Sequence, residues 1–180
     1  MAVRLQMHVL LLSVASSFVA APKTTHAQEL DDFNGVFVYA GGQKQRSAVG
    51  EAIEAIVDDM NPLFRIIARR RLTAAAKIPP RYTFKTAPGG VLTITVGAGR
   101  PLTTKVDGTP IQFKNDEGQS ITLERFWKGG VLTTSGDRGD AGQKSIYRLT
   151  PDGKSLAVTI IIHSEQLPRP LRYVLTYRRQ

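Results

Sequence analysis

The sequence predicts a mainly β protein, in which about ten strands form a closed antiparallel barrel and a helical hairpin covers it as a lid. Three observations carry this prediction. An apolar strand from Phe33 to Tyr39 comes first, a helical pair from about Ala48 to Ala76 follows, and turn-punctuated β segments continue to Tyr177. A barrel of this size can enclose one small ligand, and a helix pair between strands 1 and 2 is suited to cover its mouth.

Residues 1–27 have the pattern of an export signal that is cleaved before Gln28. Arg4 supplies the charged start, Val9 to Ala21 supplies an apolar stretch, and Thr25-His26-Ala27 offers small residues around the cleavage point. A transmembrane anchor is the alternative, but the apolar stretch is shorter than the roughly 20 residues that span a bilayer. We therefore expect one domain over residues 28–180, located in the periplasm or outside the cell.

The amino-acid composition excludes some kinds of chemistry and favours some kinds of binding partner. The chain has no cysteine, so disulfides, thiol chemistry and a lipid-attached cysteine are excluded. Its formal net charge of +9 favours an anionic partner such as a phospholipid surface, a fatty-acid carboxylate or a cell-surface polyanion, and it equally suits an ordinary charged surface. Nucleic acid is disfavoured because the aromatic residues do not alternate with the basic ones as a stacking platform requires.

The lid is predicted from helical periodicity. Over Ala48 to Met60, apolar residues recur every three or four positions and form one face, which contains Val49, Ile53, Ile56, Val57 and Met60. Asn61-Pro62 then predicts an N-cap with proline in the first turn, so that a second helix begins directly. We expect the apolar face of this second helix to contain Leu63, Ile66, Ile67 and Leu72.

Four arginines lie on the second helix, namely Arg65, Arg69, Arg70 and Arg71. Their concentration toward its C-terminal end complements the helix dipole, which explains them without any binding role. The functional alternative is that they guide an anionic lipid headgroup or a membrane surface toward an opening beneath the helices.

The β region begins after Ile78-Pro79-Pro80, since proline cannot donate to a ladder. Alternating apolar residues between glycine-rich turns predict the other strands over 82–85, 92–96, 102–106, 111–113, 121–127, 131–135, 146–150, 156–162 and 171–177. An open sandwich is the main competitor, but it has no obvious use for a helical hairpin between its first two strands.

This order of elements resembles the calycin group, and within it the ten-stranded fatty-acid-binding-protein-like barrels. The resemblance covers roughly residues 30–180 and rests on the lid helices and on three segments: Phe33-Asn34-Gly35-Val36-Phe37, Leu149-Thr150-Pro151-Asp152-Gly153-Lys154-Ser155-Leu156 and the closing strand Tyr173–Arg179. It implies one lipocalin-like barrel domain that holds a hydrophobic ligand. The Gly-x-Trp signature of lipocalins is missing after Gly35, and the final strand lacks the Arg-x-Tyr pair with which fatty-acid-binding proteins hold a carboxylate.

The strand patterns also predict ligand contacts inside the barrel. On the final strand, Tyr173 and Tyr177 share a face with Leu171 and Leu175, so their hydroxyls either meet a ligand or fill the core. Two arginines alternate with apolar residues and are candidates for an inward cation that pairs with a ligand acid or a protein carboxylate, namely Arg125 and Arg148. Trp127, Ile66 and Ile67 complete the predicted ligand contacts.

Catalysis is not predicted. Residues 28–180 contain one histidine, His163, and no cysteine, which excludes a Cys-His pair and a multi-histidine metal site. His163 ends the apolar run Val158 to Ile162, at a place where some barrels of this shape hold a haem, but a strand-end histidine with an ordinary hydrogen bond is the simpler interpretation. We predict no cofactor.

Two hypotheses about function remain. The first is an exported carrier of a small hydrophobic ligand, a fatty acid or another acidic lipid, which sits in the barrel beneath the helices. The second is a non-enzymatic protein-interaction module, such as an inhibitor or an envelope-assembly factor, with a solid barrel core. A core packed with Phe84, Phe113, Phe126 and Trp127 would favour the module, and an apolar void would favour the carrier.

Overall fold

The computed structural model describes residues 29–115 and 118–180. The predicted leader lies outside the described residues and stays a prediction. Two α-helices, α1 (Gly42–Asp58) and α2 (Arg65–Ala75), stand between the first two strands. The strands are β1 (Gly35–Tyr39), β2 (Arg81–Ala87), β3 (Val91–Val96), β4 (Leu102–Lys105), β5 (Ile111–Lys114), β6 (Ser120–Lys128), β7 (Val131–Asp137), β8 (Ala141–Leu149), β9 (Ser155–Ser164) and β10 (Leu171–Arg179).

The ten strands form one antiparallel sheet that curls into a nearly closed barrel. Its order is β4-β3-β2-β1-β10-β9-β8-β7-β6-β5, so β4 and β5 are the two ends of the sheet. The connection after β4 nevertheless reaches β6, because Trp127 donates its backbone N–H to the Val106 carbonyl at 2.9 Å and Gly108 donates to the Arg125 carbonyl at 2.8 Å. The predicted barrel with a helical lid is confirmed.

One glycine makes this closure possible. Gly108 has a φ of +88°, and a Cβ at this position would lie 2.2 Å from the Phe126 ring. Any other residue would combine a strained backbone with a collision, so the contact between the β4–β5 connection and β6 depends on glycine.

Seven aromatic side chains pack together inside the barrel. We call this set the aromatic plug; its rings meet mostly edge to face, with centroids 4.9 to 6.1 Å apart, and its members are Phe33, Phe37, Tyr82, Phe84, Trp127, Tyr147 and Tyr177. The Arg179 guanidinium lies 4.5 Å from the Phe37 ring centre and donates to the Gly153 carbonyl at 2.8 Å, which covers the plug from outside.

α1 begins at Gly42, six residues before the predicted start. Gln45 explains the longer helix, because its side-chain carbonyl accepts from Thr176 N at 2.9 Å and its amide donates to the Thr176 hydroxyl at 2.8 Å, which ties the first turn to β10. The predicted inner face is confirmed for the four residues that are buried, namely Val49, Ile53, Ile56 and Val57, while Met60 is half-buried.

The predicted apolar face of α2 is wrong at three of its four positions. Leu63, Ile66 and Ile67 are 82%, 78% and 54% exposed, and the buried residues are Ala68, Leu72 and Ala76. Asn61 caps the segment as predicted, accepting from Leu63 N at 3.0 Å, but Pro62–Phe64 forms a 3-10 turn before the α-helix begins at Arg65. Ala68, Leu72 and Ala76 therefore face the barrel, and Leu63 and Ile66 face outward.

Within the described residues, neither helix is both long enough and apolar enough to cross a lipid bilayer.

Candidate ligand-binding site

A cavity of about 400 Å³ lies inside the barrel beside the aromatic plug. We call it the Arg125 cavity. Tyr82 and Tyr147 of the plug form part of its wall, and its apolar surface comes mainly from Ile94, Leu102, Leu123 and Ile160. Its remaining lining is unusually polar for a barrel interior and includes Lys77, Arg100, Arg125, Thr134, Gln143, Ser145 and Tyr173. No acidic side chain contributes to the lining within the described residues.

Arg125 is the buried charge of this cavity. It lies on β6, is 2% exposed, and its Nη1 donates to the carbonyls of Leu92 and Leu102, both at 2.9 Å, and to the Thr104 hydroxyl at 3.1 Å. Burial lowers the pKa of the Arg125 guanidinium to about 10, so it remains a cation at neutral pH. No ion pair joins it to a carboxylate in the described part of the chain.

Two buried polar atoms of the cavity make no hydrogen bond of normal geometry: Arg125 Nε and Thr134 Oγ1. They are neighbours, since Arg125 on β6 and Thr134 on β7 are paired across the ladder, and Thr134 is paired in turn with Ser145 on β8. A buried donor without a partner costs about 1–3 kcal/mol, so native proteins leave such atoms only where something else satisfies them. The side-on edge of a guanidinium, which includes Nε, is a common binding edge for carboxylates.

The tyrosines around the cavity are held in their neutral form. Burial raises the pKa of Tyr173 to about 12, and burial also raises the pKa values of Tyr82 and Tyr147 above their ordinary range. At neutral pH these residues therefore offer O–H donors and not negative charges. The cavity thus combines one buried cation, neutral hydroxyls and apolar walls, which suits an amphipathic anion.

The fold of this cavity's scaffold has clear counterparts among solved structures. Fatty-acid-binding protein 1 of Echinococcus granulosus superposes with a TM-score of 0.51 at 13% identity, over 83% of this chain and 98% of that one. Lipid binding protein 8 of Caenorhabditis elegans gives 0.52 at 12% identity, over 84% and 98%. An abundant heat soluble (SAHS) protein of Ramazzottius varieornatus gives 0.53 at 10% identity, over 83% and 96%.

The chain has the fold of the fatty-acid-binding-protein-like barrels of the calycin group. No protein-family model matches the sequence, and no curated protein matches it either. At identities this low the likeness concerns the fold alone.

In this fatty-acid-binding-protein-like barrel, the predicted ligand residues fall into two groups. Arg125 and Tyr173 line the Arg125 cavity together. Tyr177 faces inward as predicted but is fully buried in the plug, where its hydroxyl donates to the Pro79 carbonyl at 3.1 Å. Trp127 packs against Phe33 with ring centres 5.5 Å apart and does not line the cavity.

The other predicted contacts lie on outer surfaces. Arg148 is exposed, because Tyr147 and Leu149 take the inward positions of β8 and reverse the expected phase of that strand. Ile66 is 78% exposed and lines neither cavity, whereas Ile67 lines a separate cavity of about 530 Å³ between α2 and the ends of β8 and β9 and is 54% exposed. We call the exposed apolar surface of this region the α2 patch; it consists of Leu63, Phe64, Ile66 and Ile67.

The arginines of α2 surround this patch but differ in their contacts. Arg65 donates to the carbonyls of Met60 and Asp58 at 3.0 and 2.8 Å, and so closes the turn between the helices. Arg69 forms an ion pair with Glu54 of α1 at 2.7 Å. Arg71 reaches Gln166 at 3.4 Å, and Arg70 is exposed. A structural explanation therefore suffices for Arg65 and Arg69.

Sequence reasoning missed several residues of the cavity, notably Thr134, Gln143, Ser145 and Tyr147. Alternation was the available signal: Tyr147 and Ser145 precede Leu149 by two and four residues and therefore share its face. Lys77 and Arg100 come from connections, for which periodicity offers no signal.

His163 lies at the rim of the barrel and not in the Arg125 cavity. Its Nε2 is 3.2 Å from Asp137 Oδ2, and the ring packs over Gly142, where a Cβ would lie 2.6 Å from the imidazole. The described residues contain no cluster of three or more metal-ligating side chains of the His, Cys, Asp and Glu types.

Proposed function

We propose that this protein is a carrier that holds a small hydrophobic acid, such as a fatty acid or a related lipid, inside its barrel. The observation that carries the proposal is the buried guanidinium of Arg125, which has a free Nε and no carboxylate partner within the described residues. A ligand carboxylate would supply both the countercharge and the missing acceptor. Two structural neighbours, a fatty-acid-binding protein and a lipid binding protein, agree with this class of ligand.

The position of the empty space also supports a carrier. The aromatic plug fills part of the barrel interior, whereas a cavity of about 400 Å³ remains beside it. A module that uses only its outer surface would gain stability from filling that half as well, and it would have no reason to leave Arg125 Nε unpaired. The protein-interaction module is therefore the weaker hypothesis.

We propose further that loading occurs at an anionic membrane through the α2 patch. Leu63, Phe64 and Ile66 are exposed on one side of the helix pair, and Arg70 and Arg71 lie close by in sequence. Apolar residues that enter the headgroup region beside arginines that pair with phosphates are the combination by which peripheral helices bind anionic bilayers.

The proposal also covers where the protein is located and whether it alters its ligand. The export pattern of residues 1–27 supports a periplasmic or secreted carrier. We also propose that the protein binds its ligand without transforming it, because His163 is paired with Asp137 at the rim and does not line the Arg125 cavity.

Calorimetric titration of the delipidated protein with dodecanoate and with dodecan-1-ol tests this proposal. The two probes share their chain and differ in charge, so we expect wild type to bind the acid at least about tenfold more tightly. Arg125→Met should abolish this preference while the alcohol still binds. Arg148→Met, which removes an exposed arginine from β8, is the matched control and should keep the preference.

The proposal fails if neither probe binds, or if Arg125→Met prefers the acid as strongly as wild type does. Native mass spectrometry of protein purified without detergent gives a second readout. A bound acidic lipid that disappears on solvent extraction is the expected result.

A further inference from the structure

Acidic residues are distributed unevenly over the barrel. In the part of the chain that the structure describes, the strands contain two of them, Glu124 on β6 and Asp137 on β7. The seven strands that follow one another in the sheet from β8 to β4 contain no acidic residue. The other described acids lie on α1, in the segment before β1 and in the connections. One side of the barrel wall is therefore free of negative side chains.

Five exposed cations stand on this acid-free side, and we call them the cationic wall. They are Arg81 on β2, Lys144 and Arg148 on β8, and Arg172 and Arg178 on β10. Each has a buried, inward-facing neighbour on its own strand, so alternation directs these five side chains outward. Within the described residues, none of them belongs to an ion pair. The positive charge of the wall is therefore left for solvent or for a partner.

The register of the sheet arranges four of these cations in two rows, each with an apolar residue in the middle. The first row consists of Lys144, Ile161 and Arg172, which are paired across β8, β9 and β10. The second row consists of Arg178, Val38 and Arg81, which are paired across β10, β1 and β2. Neighbouring strands are about 4.8 Å apart, so the two cations of a row are about 10 Å apart at the backbone.

The positions between the cations are ones where an acid would neutralise the wall. Val38 is 40% exposed, and an acid in its place would face a cation on each side. Opposite charges that face each other across strands stabilise a sheet, so stability alone would favour such a residue. The chain has Val38 there, and it has Ala157 beside Arg148. The wall therefore keeps a positive field that the protein itself does not cancel.

The spacing and the curvature of the wall favour a flexible polymer as its partner. Cations about 10 Å apart produce overlapping fields, because the Debye length at physiological ionic strength is about 8 Å. The wall extends over five of the ten strands, from β8 to β2, so its cations point in diverging directions around the nearly closed barrel. A flat bilayer faces only part of such a surface, and a second copy of this chain is repelled by it. A flexible polyanion can follow the curvature.

The composition of the wall disfavours nucleic acid as that polymer. The aromatic residues of β8, β10, β1 and β2 are on the inward face, so the outward face of these strands carries no Phe, Tyr or Trp. Aromatic side chains are the platforms on which single-stranded nucleic acids stack their bases. The wall offers charge without stacking, which suits a polymer of acidic sugars.

We infer that the cationic wall binds a linear acidic polysaccharide, whose negative groups pair with the arginines and the lysine in turn. This inference goes beyond the proposed carrier function, because the residues of the wall line neither cavity. Binding through the wall attaches the protein to an acidic polymer without using the interior of the barrel.

Calorimetric titration with a galacturonate decamer tests the inference, and the fully methyl-esterified decamer is the matched probe without charge. We expect wild type to bind the acid and not the ester. The affinity should fall at least about tenfold between 50 and 200 mM NaCl, because binding releases counterions from the polymer. The combined variant Lys144→Gln/Arg148→Gln/Arg172→Gln should weaken binding at least about tenfold at 50 mM NaCl and reduce the salt dependence.

Two further variants separate the wall from net charge. Lys44→Gln/Lys105→Gln/Lys114→Gln removes the same charge from exposed positions outside the wall, and its affinity should stay within about threefold of wild type. Val38→Glu places an acid between Arg178 and Arg81 and should weaken binding several-fold, whereas Val38→Gln should not. Thermal unfolding followed by circular dichroism checks that each variant folds.

Four results would overturn the inference. They are no binding of the galacturonate decamer by wild type, equal losses in the two triple variants, and equally tight binding of a thymidine decamer, which would assign the wall to nucleic acid. The fourth is a wall variant that loses binding to phosphatidylglycerol vesicles but keeps its affinity for the galacturonate decamer, which would assign the wall to a membrane. None of these results bears on dodecanoate binding, so the carrier proposal is tested separately.

Discussion

Arg125 on β6 and Thr134 on β7 stand opposite each other in the barrel wall, and each contributes a buried atom without a hydrogen bond of normal geometry. The rest of the Arg125 guanidinium is well fixed, since Nη1 has three acceptors between 2.9 and 3.1 Å away. The guanidinium is therefore held in an ordered position in the cavity wall, with its unbonded Nε buried beside Thr134. A binding site that is ordered before the ligand arrives loses less entropy on binding.

Thr134→Val tests this part of the cavity wall directly. The substitution replaces a hydroxyl that lies beside the Tyr147 side chain with a methyl group of similar shape, so the free energy of unfolding of the empty protein should change by less than about 1 kcal/mol. The affinity for dodecanoate should fall several-fold because a hydroxyl beside the carboxylate is lost. Urea unfolding and calorimetric titration measure the two effects. Thr133→Val, on the neighbouring position of β7, is the control, and a clear destabilisation by Thr134→Val would show that its hydroxyl is already satisfied.

The buried tyrosines predict a steep loss of stability in alkali. Burial raises the pKa values of Tyr82, Tyr147, Tyr173 and Tyr177, so the folded protein retains protons that the unfolded chain releases above pH ~10. The free energy of unfolding should therefore fall as pH rises above this value, by up to about 1.4 kcal/mol per pH unit for each tyrosine. The lowered pKa of Arg125 acts in the opposite direction but is a single group. Tyrosinate absorbance and circular dichroism should change together, and ionisation of these tyrosines in a folded barrel would contradict the prediction.

We expect the α2 patch to affect the rate at which ligand is transferred from a membrane and not the equilibrium affinity for the ligand. Leu63→Ser combined with Ile66→Ser removes two exposed apolar side chains that contact neither cavity. Transfer of a fluorescent fatty acid from anionic vesicles should slow several-fold, because less apolar area enters the headgroup region, while equilibrium affinity stays within about twofold. Arg172→Gln, an exposed change on β10, should leave the rate unchanged. Equal rates for the double variant and wild type would exclude membrane contact through this surface.

On β10, we expect Arg179 to stabilise the fold and the neighbouring Arg178 to contribute little. Arg179 donates to the Gly153 carbonyl and also to the carbonyls of Asp32 and Asn34, and its guanidinium covers Phe37. Arg179→Met should lower the free energy of unfolding by about 2 kcal/mol, because these carbonyls lose a charged donor. Arg178→Met removes an exposed side chain of the same strand and should change it by less than about 0.5 kcal/mol. Similar losses in the two variants would contradict this assignment.

The strand-level prediction succeeded because each strand of the barrel buries one face. Period-two alternation placed Tyr173 and Tyr177 inside, and it singled out Arg125 as an inward cation. The same alternation misplaced Arg148, because it assumed that Ile146 points inward. In the structure Tyr147 and Leu149 point inward, so Arg148 points to solvent. Short strands with apolar residues on both faces leave the phase ambiguous.

The helices show why the mouth of the barrel was harder to predict. Helical periodicity identifies an apolar face, and it assumes that this face turns inward. In α2, the buried positions are Ala68 and Leu72, whereas Leu63, just before the helix, and Ile66 face outward. The 3-10 turn at Pro62–Phe64 changes the phase at which the α-helix begins, and no residue pattern in the sequence reports that change.

The aromatic plug also determines what optical experiments can detect. The chain has one tryptophan, Trp127, and it lies in the plug against Phe33 and does not line the Arg125 cavity. Its emission therefore reports whether the aromatic plug is intact. A ligand in the Arg125 cavity leaves the surroundings of Trp127 unchanged. Tryptophan emission should therefore stay constant when ligand is added, even if the site fills. A fluorescent reporter of ligand occupancy has to be introduced beside the Arg125 cavity.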